Sequence, residues 1–134
     1  MKDVKQIMIL DDDGTINFVT EKLLLHYNKN YQVTSFTDPD IALASLKDKY
    51  NHAELLPDII FLDINMPKLS GFDFLDRVAQ YGFGNKMQVI MYTSSNSILD
   101  KKKSELYKNV IGYMEKPFSA HAYNKMLDTV AVRD

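Results

Sequence analysis

A chain of 134 residues, 46% of them apolar, has the size of one domain and enough apolar side chains to fill one core. A formal net charge of -2 lacks the basic surface that general affinity for nucleic acid requires, and the absence of cysteine excludes disulfides and thiolate metal sites. The longest apolar runs, Ile7-Met8-Ile9-Leu10 and Ile59-Ile60-Phe61-Leu62, fall far short of the roughly 20 residues of a membrane-spanning helix, so no contact with a bilayer is expected.

The charged start Met1-Lys2-Asp3-Val4-Lys5 leads straight into a first strand at residues 5–10, without the apolar region and cleavage site of a signal peptide. A cytoplasmic protein is the expectation. A helix follows, because Ile16, Val19, Leu23, Leu24 and Tyr27 fall on one helical face. Residues 31–36 alternate apolar and polar, the pattern of a strand at a sheet edge. Asp38-Pro39 then supplies an N-cap and a proline at the first helical position, with Ala42, Leu43 and Leu46 on one side of the second helix. Past the longish connection from Asn51 to Pro57, residues 58–62 and 87–92 are runs dominated by apolar side chains; together with the first strand these read as central strands. The third helix follows Ser70-Gly71 with Phe72, Leu75 and Ala79. The fourth, from about Asn96 to Tyr107, offers only Ile98, Leu99 and Leu106, a thin stripe that predicts the loosest helix. A last strand at 110–114 and a fifth helix after Ser119, carrying Ala122, Met126, Leu127 and Val130, complete five β-then-α units. That alternation implies a parallel sheet covered on both faces. One domain over residues 1–134, with no output domain after it, is expected.

In open α/β sheets the site lies at the carboxyl ends of the strands. There the first strand ends in Asp11-Asp12-Asp13, the third in Asp63, the fourth in Thr93 and the fifth in Lys116. Two unit charges about 4 Å apart repel by roughly 4 kcal/mol at an effective dielectric near 20, so crowded carboxylates need an offset. Either one acid stays protonated or a hard divalent cation sits among them, and an all-oxygen site without His or Cys suits Mg2+ better than zinc. Such a cation beside a carboxylate, a lysine and a hydroxyl makes a socket for a phosphoryl group, and a carboxylate can itself be the nucleophile.

Four segments together resemble the receiver domain of response regulators, the CheY-like module of two-component signalling. They are Ile7 to Asp13, Phe61-Leu62-Asp63-Ile64-Asn65-Met66-Pro67, Val89 to Ser94, and Gly112-Tyr113-Met114-Glu115-Lys116-Pro117-Phe118. The resemblance covers essentially the whole chain and implies a flavodoxin-like (βα)5 fold, a doubly wound five-stranded parallel sheet of order 2-1-3-4-5. It implies that Asp63 accepts a phosphoryl group, that Asp12 ligates Mg2+ directly and Asp11 through water, and that the Asn65 carbonyl is a further ligand. Lys116 would pair with a phosphoryl oxygen. Thr93 would turn its hydroxyl toward the phosphoryl group and Tyr113 would swing inward behind it, while Asn65 and Ser95 would tune loss of the group. The donor implied is a sensor histidine kinase or a histidine phosphotransfer protein in a phosphorelay. The output would pass through the face of helix 4, strand 5 and helix 5 to a downstream target protein; the same face could form a homodimer. The module would be a switch that catalyses only its own phosphorylation and dephosphorylation.

Taken singly, Asp11 to Asp13 read as turn residues, Thr93 as a capping hydroxyl and Tyr113 as packing. Lys101-Lys102-Lys103 reads as a solvated helix face, and His26, His52 and His121 lack ligand spacing. Asp11-Asp12-Asp13-Gly14-Thr15 also resembles the DxDGT signature of haloacid-dehalogenase-type phosphatases, with Asp11 as nucleophile and Asp13 as acid/base. That reading leaves Asp63 unexplained and finds only Asp128 and Asp134 after the lysine. A receiver-shaped module that binds partners without phosphorylation is the other alternative; the retained acids and lysine speak against it.

Overall fold

Residues 4–133, with side chains as far as Thr129, are described by the structure, a computed structural model. Expectations resting on Met1 to Asp3, on Asp134 and on the Val130 side chain lie outside the described residues. The chain forms β1 (Gln6–Leu10), α1 (Gly14–Tyr27), β2 (Gln32–Phe36), α2 (Pro39–Asn51), β3 (Ile59–Leu62), α3 (Gly71–Ala79), β4 (Gln88–Thr93), α4 (Ile98–Ser104), β5 (Val110–Glu115) and α5 (Ala120–Arg133). A single 3-10 turn, Gly84–Lys86, precedes β4. The strands make one parallel sheet in the order β2-β1-β3-β4-β5, the flavodoxin-like arrangement expected.

Helix starts follow local chemistry. Asp13 accepts from the N–H of Thr15, Asp38 from that of Asp40 with Pro39 behind it, and Ser70 forms a reciprocal capping box with Asp73. At its far end α2 closes with hydrogen bonds from the N–H of Glu54 to the Lys49 carbonyl, 2.8 Å, and of Ala53 to the Tyr50 carbonyl, 3.2 Å. That closure puts Ala53 at φ 55°, a left-handed conformation that strains a side chain and suits glycine. Ala53→Gly is expected to stabilise the fold by about 0.5–1 kcal/mol, read as a higher urea midpoint at unchanged m-value.

Because side chains alternate along a strand, the sheet splits the apolar interior into two layers. Met8, Leu10, Ile60, Leu62, Val89 and Met91 face α2 and α3, meeting Ala42, Leu43, Leu46, Phe74, Leu75 and Val78. Ile7, Ile9, Ile59, Phe61, Ile90 and Tyr92 face α1 and α5, meeting Leu24, Tyr123 and Met126. Each such side chain, fully buried, stabilises the fold by roughly 1.5–3 kcal/mol relative to exposure.

The inward faces differ in part from expectation. Val19, Ala79 and Leu127 are exposed. In α1 Leu24 is buried as expected, and Asn17 and Thr20 are buried beside it because other elements supply polar partners: the Thr20 hydroxyl lies 3.1 Å from that of Tyr92, and Asn17 reaches two carbonyls described below. In α3 Phe74 and Val78 take the place of Ala79, and in α5 Tyr123 takes that of Leu127. The fourth helix is shorter than residues 96–107. Ile98, Leu99 and Leu106 are exposed, and Ser104 is its buried residue. Polar and ring contacts hold this segment to α3 in place of an apolar stripe: the Lys103 ammonium sits 4.6 Å from the centre of the Phe72 ring, and the Tyr107 hydroxyl donates to Asp76 at 2.8 Å. Burial and that carboxylate push the Tyr107 hydroxyl up to about 12.

Candidate functional site

The sheet ladder runs past the strand ends and fixes the backbone there. The N–H of Asp11 donates to the Phe36 carbonyl at 3.1 Å, that of Asp63 to Leu10 at 3.0 Å, and that of Lys116 to Thr93 at 2.9 Å. Between β4 and β5 the register shifts, since Val89 faces Val110 but Ile90 faces Gly112; this sets Thr93 opposite Glu115, one residue before Lys116. The Lys116–Pro117 peptide is cis.

Five of the expected residues converge. Asp11, Asp63 and Thr93 are 1%, 5% and 0% exposed, whereas Asp12 lies open to solvent. The Lys116 ammonium forms an ion pair with Asp11 Oδ2 and lies 3.5 Å from Asp63 Oδ1. Asp11 Oδ1 accepts from the Asp13 N–H at 2.9 Å, so Asp11 Oδ2, which makes no well-aligned hydrogen bond, is neutralised by the ammonium. Burial, and then the Asp11 charge, push the Asp63 carboxyl above its ordinary value; Lys116, the Thr93 hydroxyl and the Asn65 N–H offset this only in part. Burial alone would lower the Lys116 ammonium, but Asp11 and Asp63 outweigh it and hold the lysine above its ordinary value. One carboxylate oxygen each from Asp11, Asp12 and Asp63 lie within 4.8 Å of one another. Three oxygens so placed, with no nitrogen or sulfur donor, fit a hard divalent cation.

Tyr113 and Ser95 stand behind these acids. The Tyr113 hydroxyl donates to the Ser95 carbonyl at 2.8 Å, and the Ser95 N–H donates to Thr93 Oγ1 at 3.2 Å. Asn65, in the loop after β3, has its side chain exposed.

Three supporting residues escape a reading by strand ends alone. Asn17 Nδ2 donates to the carbonyls of Asp11 and Phe36, at 3.0 and 3.1 Å, tying the acidic loop to the end of β2. The Tyr92 hydroxyl accepts from the Phe118 N–H at 3.0 Å, which anchors the turn behind Lys116. Gly71 presses against the phosphoacceptor candidate: a Cβ there would stand 2.4 Å from the Asp63 carbonyl oxygen. Asn17 carries no local sequence signal for this role, since its carbonyl partner Phe36 lies 19 residues away.

Compared with known families, residues 7–128 match the response regulator receiver domain. The chain belongs to this family. Receivers are signalling domains of two-component systems. Among relatives, this receiver is 32% identical over 117 residues to Protein PilG of Pseudomonas aeruginosa, covering 85% of this chain and 78% of that protein. It is 30% identical over 132 residues to the alkaline phosphatase synthesis transcriptional regulatory protein PhoP of Bacillus subtilis, covering 96% of this chain but 49% of that protein. Of several other curated relatives it spans 18% to 22%. Among solved structures, a two component response regulator from Cytophaga hutchinsonii superposes with a TM-score of 0.87 at 28% identity, covering 97% of this chain and 98% of that one. Among the described residues no helix is long and apolar enough to cross a membrane.

Proposed function

We propose that this receiver is a cytoplasmic phosphorylation switch whose acceptor is Asp63. The supporting observation is the arrangement around that carboxylate: buried, beside the Lys116 ammonium and the Thr93 hydroxyl, and within one oxygen cluster with Asp11 and Asp12. A carboxylate oxygen of Asp63 attacks phosphorus of a phosphohistidine on a histidine kinase or phosphotransfer protein. The phosphorus–nitrogen bond breaks and its electron pair leaves on the imidazole. Asp11, Asp12, Asp63 and the Asn65 carbonyl are the residues that would hold Mg2+. When bound, that ion neutralises charge on the phosphoryl oxygens.

Lys116 is already drawn to both acids and pairs with a phosphoryl oxygen when one arrives. Thr93 turns its hydroxyl toward the new dianion, Tyr113 follows, and the output face of α4, β5 and α5 changes its preferred partner. A groove of about 290 Å3 lies on that face between Lys101, Tyr113, Lys125 and Met126, where a downstream protein or a second copy would dock. Asn65 and Ser95 flank the acceptor and tune hydrolysis.

Intact mass after incubation with a small acyl phosphate tests the reading. One phosphoryl adduct that requires Mg2+ and vanishes in Asp63→Asn is expected. Steady turnover that survives Asp63→Asn but not Asp11→Asn would instead make Asp11 a phosphatase nucleophile, and no adduct would leave a binding module.

A further inference from the structure

Tyr92 ends the apolar run Val89-Ile90-Met91 of β4 with a hydroxyl that is nevertheless buried, the residue being 2% exposed. A buried tyrosine hydroxyl needs partners, and this one has two. It accepts from the Phe118 N–H at 3.0 Å and lies 3.1 Å from the Thr20 hydroxyl of α1. Pro117 has no N–H, so the Phe118 amide is the next backbone donor after that of Lys116, which bonds the Thr93 carbonyl at 2.9 Å. The turn that carries the lysine is therefore held on both sides by consecutive residues of β4. The same tyrosine also presents its ring to the ammonium, which lies 5.8 Å from the ring centre. Edge-on contacts with Phe61 and Phe118, their ring centres 5.8 and 6.2 Å away, fix the plane of that ring.

We propose that Tyr92 is a positioning residue for phosphoryl transfer to Asp63: its hydroxyl, through the Phe118 N–H, and its ring hold the Lys116 ammonium beside the acceptor carboxylate. This rests on the reading above, in which Lys116 pairs with a phosphoryl oxygen. A lysine side chain is long and flexible, so the place of its ammonium depends on where the backbone starts it and on what lines its path. Here that charge reaches Asp11 and Asp63 with the side chain only 13% exposed. The acids are placed by other means. The Asp11 and Asp63 backbones are set by ladder bonds to the Phe36 and Leu10 carbonyls, and Asp11 Oδ1 by the Asp13 N–H. Loss of the Tyr92 hydroxyl therefore loosens the lysine and leaves the oxygens that would hold Mg2+ in place. With the ammonium competing less for those oxygens, Mg2+ binds no more weakly than before. Slower phosphoryl transfer at undiminished Mg2+ affinity is the signature of this role.

The test measures three quantities: the rate of adduct formation at Asp63 from a small acyl phosphate at saturating Mg2+, the Mg2+ dissociation constant by calorimetry, and the urea midpoint. Wild type, Tyr92→Phe, Tyr31→Phe, and Lys116→Ala with and without Tyr92→Phe are compared. Tyr92→Phe, which keeps the ring, is expected to react about 3–10 times more slowly, the size of one hydrogen bond, with an Mg2+ dissociation constant no higher than that of wild type. Tyr31→Phe removes a buried hydroxyl bonded to that of Tyr123 at 2.7 Å in the same apolar layer; it should lower the urea midpoint comparably and keep the wild-type rate. In the Lys116→Ala background, adding Tyr92→Phe should leave the residual rate unchanged, because the tyrosine acts through the lysine. A wild-type rate in Tyr92→Phe overturns the proposal. So does a slower rate that comes with an equally weakened Mg2+ affinity, with an equally slow Tyr31→Phe, or with the same slowing in the Lys116→Ala background. Each of these outcomes defeats this inference alone; no adduct in wild type defeats the phosphoacceptor reading and this inference with it.

Discussion

Lys116→Ala is expected to lower the stability of the fold by about 3 kcal/mol at pH 8, more than an ordinary lysine substitution, because it strands two buried carboxylates. Lys116 joins Asp11 and Asp63, both almost wholly buried, and is itself largely covered. Urea titrations across pH check this, since the deficit has a sign that ordinary loss of packing lacks. Asp63 already holds its proton above the ordinary 3.8, chiefly through burial and then through Asp11. The native state therefore binds more protons than the unfolded chain just above that value. Stability contributed by the proton is full below 3.8 and is lost as pH rises through the raised native value. Without the ammonium that loss grows, so the gap between Lys116→Ala and wild type should widen as pH rises above 3.8. Asp63→Asn should move oppositely: on the order of 1 kcal/mol more stable than wild type at pH 7, with no gain below 3.8. A pH-independent deficit in Lys116→Ala would show that the lysine serves only as packing. The lysine's own raised value places its contribution below the ordinary 10.5, to be lost only at more alkaline pH.

Gly71→Ala is the second large effect, and here the loss falls on chemistry as well as stability. The added methyl would meet the Asp63 carbonyl oxygen at 2.4 Å and the Ile64 Cα at 3.1 Å, both backbone atoms that cannot rotate away. The loop after β3 must shift, at a cost of about 1–3 kcal/mol. Because the displaced peptide carries the Asp63 side chain, adduct formation should slow by about tenfold or more, as misplacement near 1 Å costs up to about a hundredfold. Gly84→Ala is the matched control. Its methyl would meet the Val78 carbonyl oxygen at 2.4 Å, an equal clash at the far end of α3. It should lose comparable stability and keep the wild-type phosphorylation rate at temperatures where it is folded. Equal rates for both variants would refute a special role for the Gly71 contact.

Much of this is legible in the sequence because the decisive signals are local. Asp38-Pro39 and Ser70-Gly71 mark helix starts through bonds made within three or four residues, and both begin helices there. Ile59 to Leu62 reads as a central strand because a strand covered on both faces has no room for polar side chains, and all four are buried. The convergence of Asp11, Asp12, Asp63, Thr93 and Lys116 was legible because parallel strands present their carboxyl ends on one edge. Illegible features depend on partners distant in sequence. Asn17 and Thr20 face inward only because Phe36 and Tyr92 meet them there. Gly71 is tightly placed only because the Asp63 carbonyl packs on it, a contact that helical periodicity does not reveal.

The two apolar layers also differ in how they meet the strand ends. Tyr113 packs on the side of α2 and α3, whereas Phe61, Tyr92, Phe118 and Tyr123 form an aromatic block on the side of α1 and α5. A sheet whose central strands are buried on both faces separates these compartments along its length, but at the strand ends the block touches the site: the Lys116 ammonium lies 5.8 Å from the centre of the Tyr92 ring, and the Phe118 N–H donates to the Tyr92 hydroxyl. Substitutions on the outer face of α1 can therefore re-tailor the surface without reaching the acids, whereas a change in the aromatic block would be felt at Lys116.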